Sequence, residues 1–79
     1  MARQDILAFI TDTLRDILDN QKLNLEESSR FLDIPEWDSL AFVTLMATLE
    51  SQYSTELDMT AMQAAHTVGD VISLIEVHH

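Results

Sequence analysis

Ser39 is the side chain of this sequence best placed to do chemistry, because it stands between Asp38 and Leu40 at the start of a helical segment. An Asp followed by an amphipathic run is typical of an N-cap, so Ser39 is predicted to lie in the first helical turn. The unpaired N–H groups and the helix dipole stabilise an anion there by roughly 0.3–1 kcal/mol. We therefore predict that Ser39 is an attachment point for a phosphodiester and is not a catalyst.

The hydrophobic pattern predicts four helices and no strands. Apolar residues recur with helical spacing over residues 3–19, 39–53, 60–65 and 68–77. The last helix follows Thr67 and Asp70, which match a capping box. Residues 20–38 have no regular period, but their scattered apolar side chains indicate a connection pinned across the helices. The prediction is an all-α four-helix bundle with a long loop between helices 1 and 2 and a short third helix.

The second helix has apolar residues over more than half of its circumference. One arc is expected to face the core and contains Leu45, Leu49, Phe42, Tyr53 and Met46. The next arc is expected to be partly exposed beside Ser39, as a contact surface for another molecule, and contains Leu40, Val43 and Ala47. The alternative is that this helix is buried on all sides.

Size and charge restrict the function classes. The chain has 79 residues, no cysteine and a formal net charge of -10, which disfavours binding to nucleic acids and to anionic membrane surfaces. Its longest apolar run, residues 6–10, is too short for membrane insertion. We expect a monomer in the cytoplasm, with a single domain over residues 1–77. His78 and His79 are either a tag remnant or a native tail.

Several motifs together resemble one family, the acyl carrier proteins and their relatives, the peptidyl and D-alanyl carrier domains. The matching features are Asp38-Ser39-Leu40, the spacing of Leu45, Leu49, Glu50 and Tyr53, the pair Glu56-Leu57, and the segment Thr67–Ile72. The family pattern runs from Asp38 to Ile75 without a gap, and the first helix and loop match in length. Trp37, directly before Asp38-Ser39, is more similar to the peptidyl-type and the dedicated stand-alone carriers.

The resemblance implies that Ser39 receives 4′-phosphopantetheine from coenzyme A through a separate Mg²⁺-dependent phosphopantetheinyl transferase. The thiol of this group would then carry acyl or aminoacyl groups as thioesters, exchanged with a loading ligase and downstream synthases. It also implies that Asp38 engages the transferase and its metal, and that Leu40 and Val43 dock against it. We extend this partner-binding surface to Thr44, Ala47 and Glu50. A serine hydroxyl needs a base, and no His or Lys lies within several residues of Ser39, so the partner must supply one.

The chain departs from the family in its distribution of acidic residues. Carriers of fatty acid synthesis usually have acidic second and third helices, but here nine of the fourteen acids lie in residues 1–38. Between Ser39 and His66 only Glu50, Glu56 and Asp58 are acidic. We therefore predict a specialised carrier, which recognises its enzymes by apolar contact, and not the housekeeping fatty-acid carrier.

Other interpretations remain open. An unmodified helical adaptor of the same fold would act through the apolar patch around Leu40 and Val43. A hydrolase using Ser39 and His66 lacks an orienting acid, and His66 is expected to be a surface or packing residue.

Trp37 is expected to pack the loop onto the bundle, with shielding of a prosthetic arm as the alternative. Two further expectations cover sets of residues. The methionines Met46, Met59 and Met62 are expected in the core, and Asp5, Asp12, Asp16 and Asp19 form a solvated face without metal.

Overall fold

The computed structural model describes residues 2–78, so the prediction for His79 lies outside the described residues. Within this range four α-helices form: α1 Arg3–Ile17, α2 Ser39–Tyr53, α3 Met59–Ala64 and α4 Val68–His78. A short 3-10 helix, Phe31–Asp33, lies in the connection between α1 and α2. The described residues contain no β-strand, only one isolated antiparallel bridge between Arg30 and Thr67. The predicted all-α architecture with its long first connection and short third helix is confirmed.

The helix ends follow local signals. α2 has the predicted bounds, whereas α1 ends before the predicted Asp19, which adopts a left-handed φ of 51° that a helix cannot continue through. α3 begins earlier than the predicted residue 60, because the Asp58 carboxylate caps it by accepting the N–H of Thr60 at 3.1 Å. No helix in the described part of the chain combines the length and apolar character needed to cross a bilayer.

The core is formed by one apolar face from each helix. Its fully buried side chains are Ile6, Ile10 and Leu14 of α1, Leu45 and Leu49 of α2, Met62 of α3, and Val68, Val71, Ile72 and Ile75 of α4. The chain has no cysteine, so burial of these groups is the main favourable term in folding. The predicted solvated face is confirmed, since Asp5, Asp12 and Asp16 of α1 and Asp19 just after it are all exposed.

The two arcs of α2 differ in burial as predicted. Leu45 and Leu49 are fully buried, whereas Leu40 is 74% exposed and Val43 is 49% exposed. The alternative that α2 is buried all round is therefore wrong. The pattern missed Ala41, which is buried although it lies beside Leu40.

The long first connection is held against the start of α4 by main-chain hydrogen bonds. The N–H groups of Val68 and Gly69 donate to the carbonyls of Ser29 at 2.9 Å and Glu27 at 2.8 Å. A Cβ on Gly69 would lie only 2.9 Å from the Glu27 carbonyl oxygen, so this close approach requires glycine. Apolar side chains of the connection are also buried, namely Leu23, Leu25, Phe31 and Ile34, which confirms that the connection is pinned.

Arg3 joins three parts of the chain that are distant in sequence. Its Nη2 lies 2.6 Å from Oε1 of Glu27 in the connection, and its Nη1 contacts the carboxylate of Glu76 in α4. The guanidinium also donates to the Gly69 carbonyl oxygen at 3.3 Å. The Arg3 hydrogen bond holds the pKa of Glu27 below its ordinary value. These groups are over a third exposed, so they orient the connection more than they stabilise it.

The predicted capping box at the start of α4 is confirmed. The Asp70 N–H donates to Oγ1 of Thr67 at 3.1 Å, and Oδ2 of Asp70 accepts the N–H groups of Thr67 at 3.1 Å and His66 at 3.0 Å. Two main-chain donors favour the ionised carboxylate, so the pKa of Asp70 lies below its ordinary value.

Replacing Leu49 with Ala should lower the free energy of unfolding by roughly 2–5 kcal/mol, because it leaves a cavity in the core. Leu40→Ala removes the same atoms from an exposed position and should change it by less than about 0.5 kcal/mol. Urea unfolding of both variants measures the difference. Equal losses would mean that both arcs of α2 contribute to the core.

The Asp70→Asn variant should melt a few degrees below the wild type at pH 7, because the amide is a weaker acceptor for the two N–H groups. The native pKa is lowered, so the stabilisation by Asp70 is complete above its ordinary value of 3.8 and is lost as pH falls through the native pKa. The melting-temperature difference should therefore shrink below pH 3.8.

Thermal melts from pH 7 to pH 3 test this dependence. Asp16→Asn is the control, since it removes the same charge from an exposed position on α1. A difference between wild type and Asp70→Asn that stays constant over this range would show that the carboxylate charge is not the source of the stabilisation.

Candidate functional site at the start of the second helix

The start of α2 has the geometry predicted from Asp38 and Ser39. Asp38 is extended, with φ -147° and ψ -178°, and its Oδ1 accepts the N–H of Ala41 at 2.8 Å. Asp38 is therefore the N-cap, and Ser39 is the first residue of the helix and is exposed. Its hydroxyl lies at the positive end of the helix dipole, where an attached anion is stabilised.

The residues before Asp38 turn the chain into this position. Pro35 disfavours helical geometry at Ile34, which is extended with φ -77° and ψ 125°, as expected. Glu36 adopts a left-handed φ of 67°, which is uncommon for a residue other than glycine, and the Trp37 N–H then donates to the Ile34 carbonyl at 3.2 Å. This tight turn leads directly to the N-cap.

Trp37 packs the connection onto α2, as predicted. Its ring stacks on Phe31 with a centroid distance of 4.8 Å and meets Phe42 edge-on at 6.3 Å. Such aromatic pairs contribute about 0.5–1.5 kcal/mol beyond their buried area. Trp37 also borders the cavity beside Ser39, so the packing role and contact with an attached group are compatible.

An open cavity of about 660 Å³ lies beside Ser39. Its apolar lining consists of Phe31, Leu32, Trp37, Phe42, Val43, Met59 and Ala65, and its polar lining of Arg30, Asp38, Ser39, Gln63 and His66. The cavity is formed by the connection, α2, α3 and the segment before α4, which meet only in the folded chain. The sequence pattern did not predict this cavity, and it indicated no site role for Arg30, Leu32 or Gln63.

The prediction that Met59 belongs to the core is wrong, whereas it is correct for Met46 and Met62. Met59 is the first residue of α3 and is 45% exposed at the cavity, because the inward face of this short helix is taken by Met62. A flexible thioether at this position suits a wall that must adapt to different apolar groups.

His66 is a surface residue, as expected. Its main-chain carbonyl accepts the N–H of Phe31 at 3.1 Å, and its own N–H donates to Asp70. Asp70 is thus engaged with main-chain donors and does not orient the imidazole for general-base catalysis. Among the described residues, no group of three or more His, Cys, Asp or Glu side chains is placed to hold a metal ion.

Most of the predicted partner-binding residues are accessible. Leu40, Val43, Thr44 and Ala47 are exposed on α2. Glu50 differs, since it is half-buried and its Oε2 accepts the Leu57 N–H at 3.0 Å, which fixes the loop between α2 and α3. One oxygen of this carboxylate is therefore used within the chain, a role that the position of Glu50 on the helix surface did not indicate.

The arrangement fits a covalently attached anionic group with an apolar extension. Ser39 presents a hydroxyl at a helix start, and the adjoining cavity offers aromatic and aliphatic walls to whatever the group carries.

Known proteins share this sequence pattern and fold. The family model described as a phosphopantetheine attachment site matches residues 8–75. The acyl carrier protein of Chlamydia muridarum is 35% identical to this chain over 72 residues, which cover 91% of this chain and 88% of that one. The one from Lactobacillus acidophilus is 27% identical over 78 residues, covering 99% of this chain and 98% of that one.

A solved structure agrees with these matches. The solution structure of the holo acyl carrier protein from Geobacter metallireducens superposes with a TM-score of 0.80 at 27% identity, covering 92% of this chain and 84% of that chain. The chain belongs to the acyl carrier protein family, whose non-catalytic members carry acyl groups on a covalently bound 4′-phosphopantetheine.

Proposed function

We propose that Ser39 is the residue that bears 4′-phosphopantetheine. The observation that supports this most strongly is the exposed hydroxyl of Ser39 at the capped start of α2, beside an apolar cavity. When bound, the group supplies a thiol on which acyl or aminoacyl groups are held as thioesters. The N–H groups of the first turn of α2 would stabilise the phosphodiester, and the cavity would shelter apolar parts of the cargo.

The attachment requires a second protein. The Ser39 oxygen forms a bond to the pyrophosphate phosphorus of coenzyme A that bears pantetheine. The P–O bond inside the pyrophosphate breaks, 3′,5′-adenosine diphosphate leaves, and the serine proton passes to a base on a phosphopantetheinyl transferase. Oδ1 of Asp38 is used by the helix cap, which leaves Oδ2 free for the metal ion of the transferase. The structure supports Asp38 in both roles, since the cap holds the carboxylate beside Ser39.

The docking surface is proposed to be apolar. Leu40 and Val43 project beside Ser39, and Leu32 of the 3-10 helix is 86% exposed and borders the same cavity. α3 contains no charged residue, and the one acid of α2, Glu50, is engaged within the chain. Recognition would therefore depend on apolar contact more than on charge. This favours a specialised biosynthetic carrier, working with its own loading ligase and synthases, over a housekeeping fatty-acid carrier.

The single domain over residues 1–77, the monomeric state and the cytoplasmic location remain predictions from composition. An unmodified adaptor of the same fold would use the same exposed residues, Leu40 and Val43. Modification of Ser39 is therefore the property that separates the two functions.

Incubation with coenzyme A, Mg²⁺ and a promiscuous phosphopantetheinyl transferase should add the mass of one phosphopantetheine group. Ser39→Ala should show no gain, whereas Ser29→Ala, which alters a serine in the connection, should be modified like the wild type. Intact-protein mass spectrometry measures the gain. An unmodified wild type with every transferase tried would favour the adaptor, and a modified Ser39→Ala would move the attachment elsewhere.

Val43→Asp should lower kcat/KM for the transferase about 10-fold or more, because a charge replaces an apolar contact worth roughly 1.5–3 kcal/mol. The free energy of unfolding should change by less than about 0.5 kcal/mol, since Val43 is exposed. Ser51→Asp is the control: it adds the same charge to α2 about 12 Å further along the helix than Val43.

Transfer rates and urea unfolding are measured for both variants. A similar loss of transfer in Val43→Asp and Ser51→Asp would point to a general charge effect. A kcat/KM of the transferase for Val43→Asp equal to that for the wild type would exclude Val43 from the docking surface.

A further inference from the structure

Arg30 is a cation that folding leaves without an ion pair beside the cavity. The other arginines are used within the fold: Arg3 pairs with Glu27 and Glu76, and the Arg15 guanidinium donates to the Leu23 carbonyl at 2.7 Å. Within residues 2–77, Arg30 has no carboxylate within salt-bridge distance, although the chain has fourteen acidic residues and a net charge of -10. A guanidinium left unpaired in such an acidic chain is available to a ligand.

The backbone of Arg30 is held beside the cavity by main-chain contacts. Arg30 and Thr67 form the isolated antiparallel bridge, the next residue donates its N–H to the His66 carbonyl, and the Arg30 carbonyl accepts the Asp33 N–H at 3.0 Å. Arg30 is one of the residues that line the cavity beside Ser39, and it also borders a second, smaller cavity within the connection. Arg30 and the attachment site therefore border one common space.

The lining of this space selects the kind of molecule that fits. Aromatic walls are supplied by Phe31, Trp37 and Phe42, whereas Gln63 and His66 add hydrogen-bonding groups. Asp38 is the one acid in the lining, and its Oδ1 is already used by the cap of α2. The cavity lining thus combines apolar walls with one arginine, Arg30.

We infer that Arg30 binds a carboxylate on the cargo, so that this carrier takes acyl groups with an apolar body and a terminal acid, the half-thioesters of dicarboxylic acids. A planar guanidinium pairs with a carboxylate through two parallel hydrogen bonds. The phosphodiester at Ser39 would be stabilised by the N-terminus of α2, and the carboxylate of the cargo would be stabilised by the positive charge of Arg30. This inference rests on the proposed attachment at Ser39.

The experiment compares two cargoes of equal length. A promiscuous phosphopantetheinyl transferase loads the chain directly from adipoyl-coenzyme A or hexanoyl-coenzyme A, and mass spectrometry verifies each product. The rate of thioester cleavage by hydroxylamine then reports how far the cavity shelters the acyl group. Arg30→Gln removes the cation, and Lys22→Gln is the matched control, because Lys22 is exposed, has no ion pair among residues 2–77 and does not line the cavity.

Arg30→Gln should speed cleavage of the adipoyl thioester by about 2- to 5-fold, the factor expected for a partly exposed ion pair. The hexanoyl thioester should be unaffected, and Lys22→Gln should change neither cargo. Arg30→Lys should retain part of the protection, because it keeps the charge but loses the bidentate geometry. The side chain of Arg30 makes no hydrogen bond with the residues described, so these variants should fold normally.

Three results would overturn the inference. Equal cleavage rates of the adipoyl thioester in wild type and Arg30→Gln would exclude the contact. If Arg30→Gln and Lys22→Gln raised the cleavage rate equally, the effect of Arg30 would be one of general charge and not of a contact with the cargo. If Arg30→Gln raised the cleavage rates of both thioesters equally, Arg30 would be assigned to the phosphodiester. A chain that gains no mass from either coenzyme A thioester would instead overturn the attachment at Ser39, so the two failures are distinguishable.

Discussion

The main-chain bonds between the long first connection and the start of α4 are the constraint on which the functional site depends. The carbonyls of Glu27 and Ser29 accept N–H groups of Gly69 and Val68, and the Phe31 N–H donates to the His66 carbonyl. An irregular segment without these bonds would leave polar backbone groups unpaired against an apolar core, at about 1–3 kcal/mol each. Because they are made, the connection lies across the bundle and delivers the turn that precedes Asp38.

This constraint also creates the cavity. The same bonds hold Phe31 and His66 at one side, the stacked Trp37 holds the connection against Phe42, and Met59 closes the space from α3. An apolar space with one open side is then left beside Ser39. The cavity is therefore a consequence of how a long connection packs, and each wall belongs to a different segment of the chain.

The cavity lining beside Ser39 contains one acid, Asp38, and one arginine, Arg30, while the other charged side chains lie outside it. The acids of α1 face solvent, Arg3 is engaged with Glu27 and Glu76, and Glu50 is held by the loop before α3. In a chain of net charge -10 this leaves an apolar strip on α2 next to a single guanidinium, that of Arg30. With the proposed attachment at Ser39, partners and cargo would meet a surface rich in apolar area, and Arg30 would be the positive group that discriminates among cargoes.

The sequence by itself determined the features that depend on neighbours within about four residues. Asp38 caps α2, and the pair Thr67 and Asp70 caps α4, in each case through hydrogen bonds between residues three positions apart. Such short-range motifs can be recognised in the sequence alone. The faces of the long helices follow from a fixed period, so the burial of Leu49 and the exposure of Leu40 were predictable.

Only the tertiary structure decided which distant residues meet. The contacts of Arg3 with Glu27 and Glu76, the bond from Leu57 to Glu50, the outward position of Met59 and the placement of Arg30 beside Ser39 all depend on packing between segments. No periodicity specifies such contacts, because a side chain on a short helix or an irregular connection has no face until its neighbours are in place.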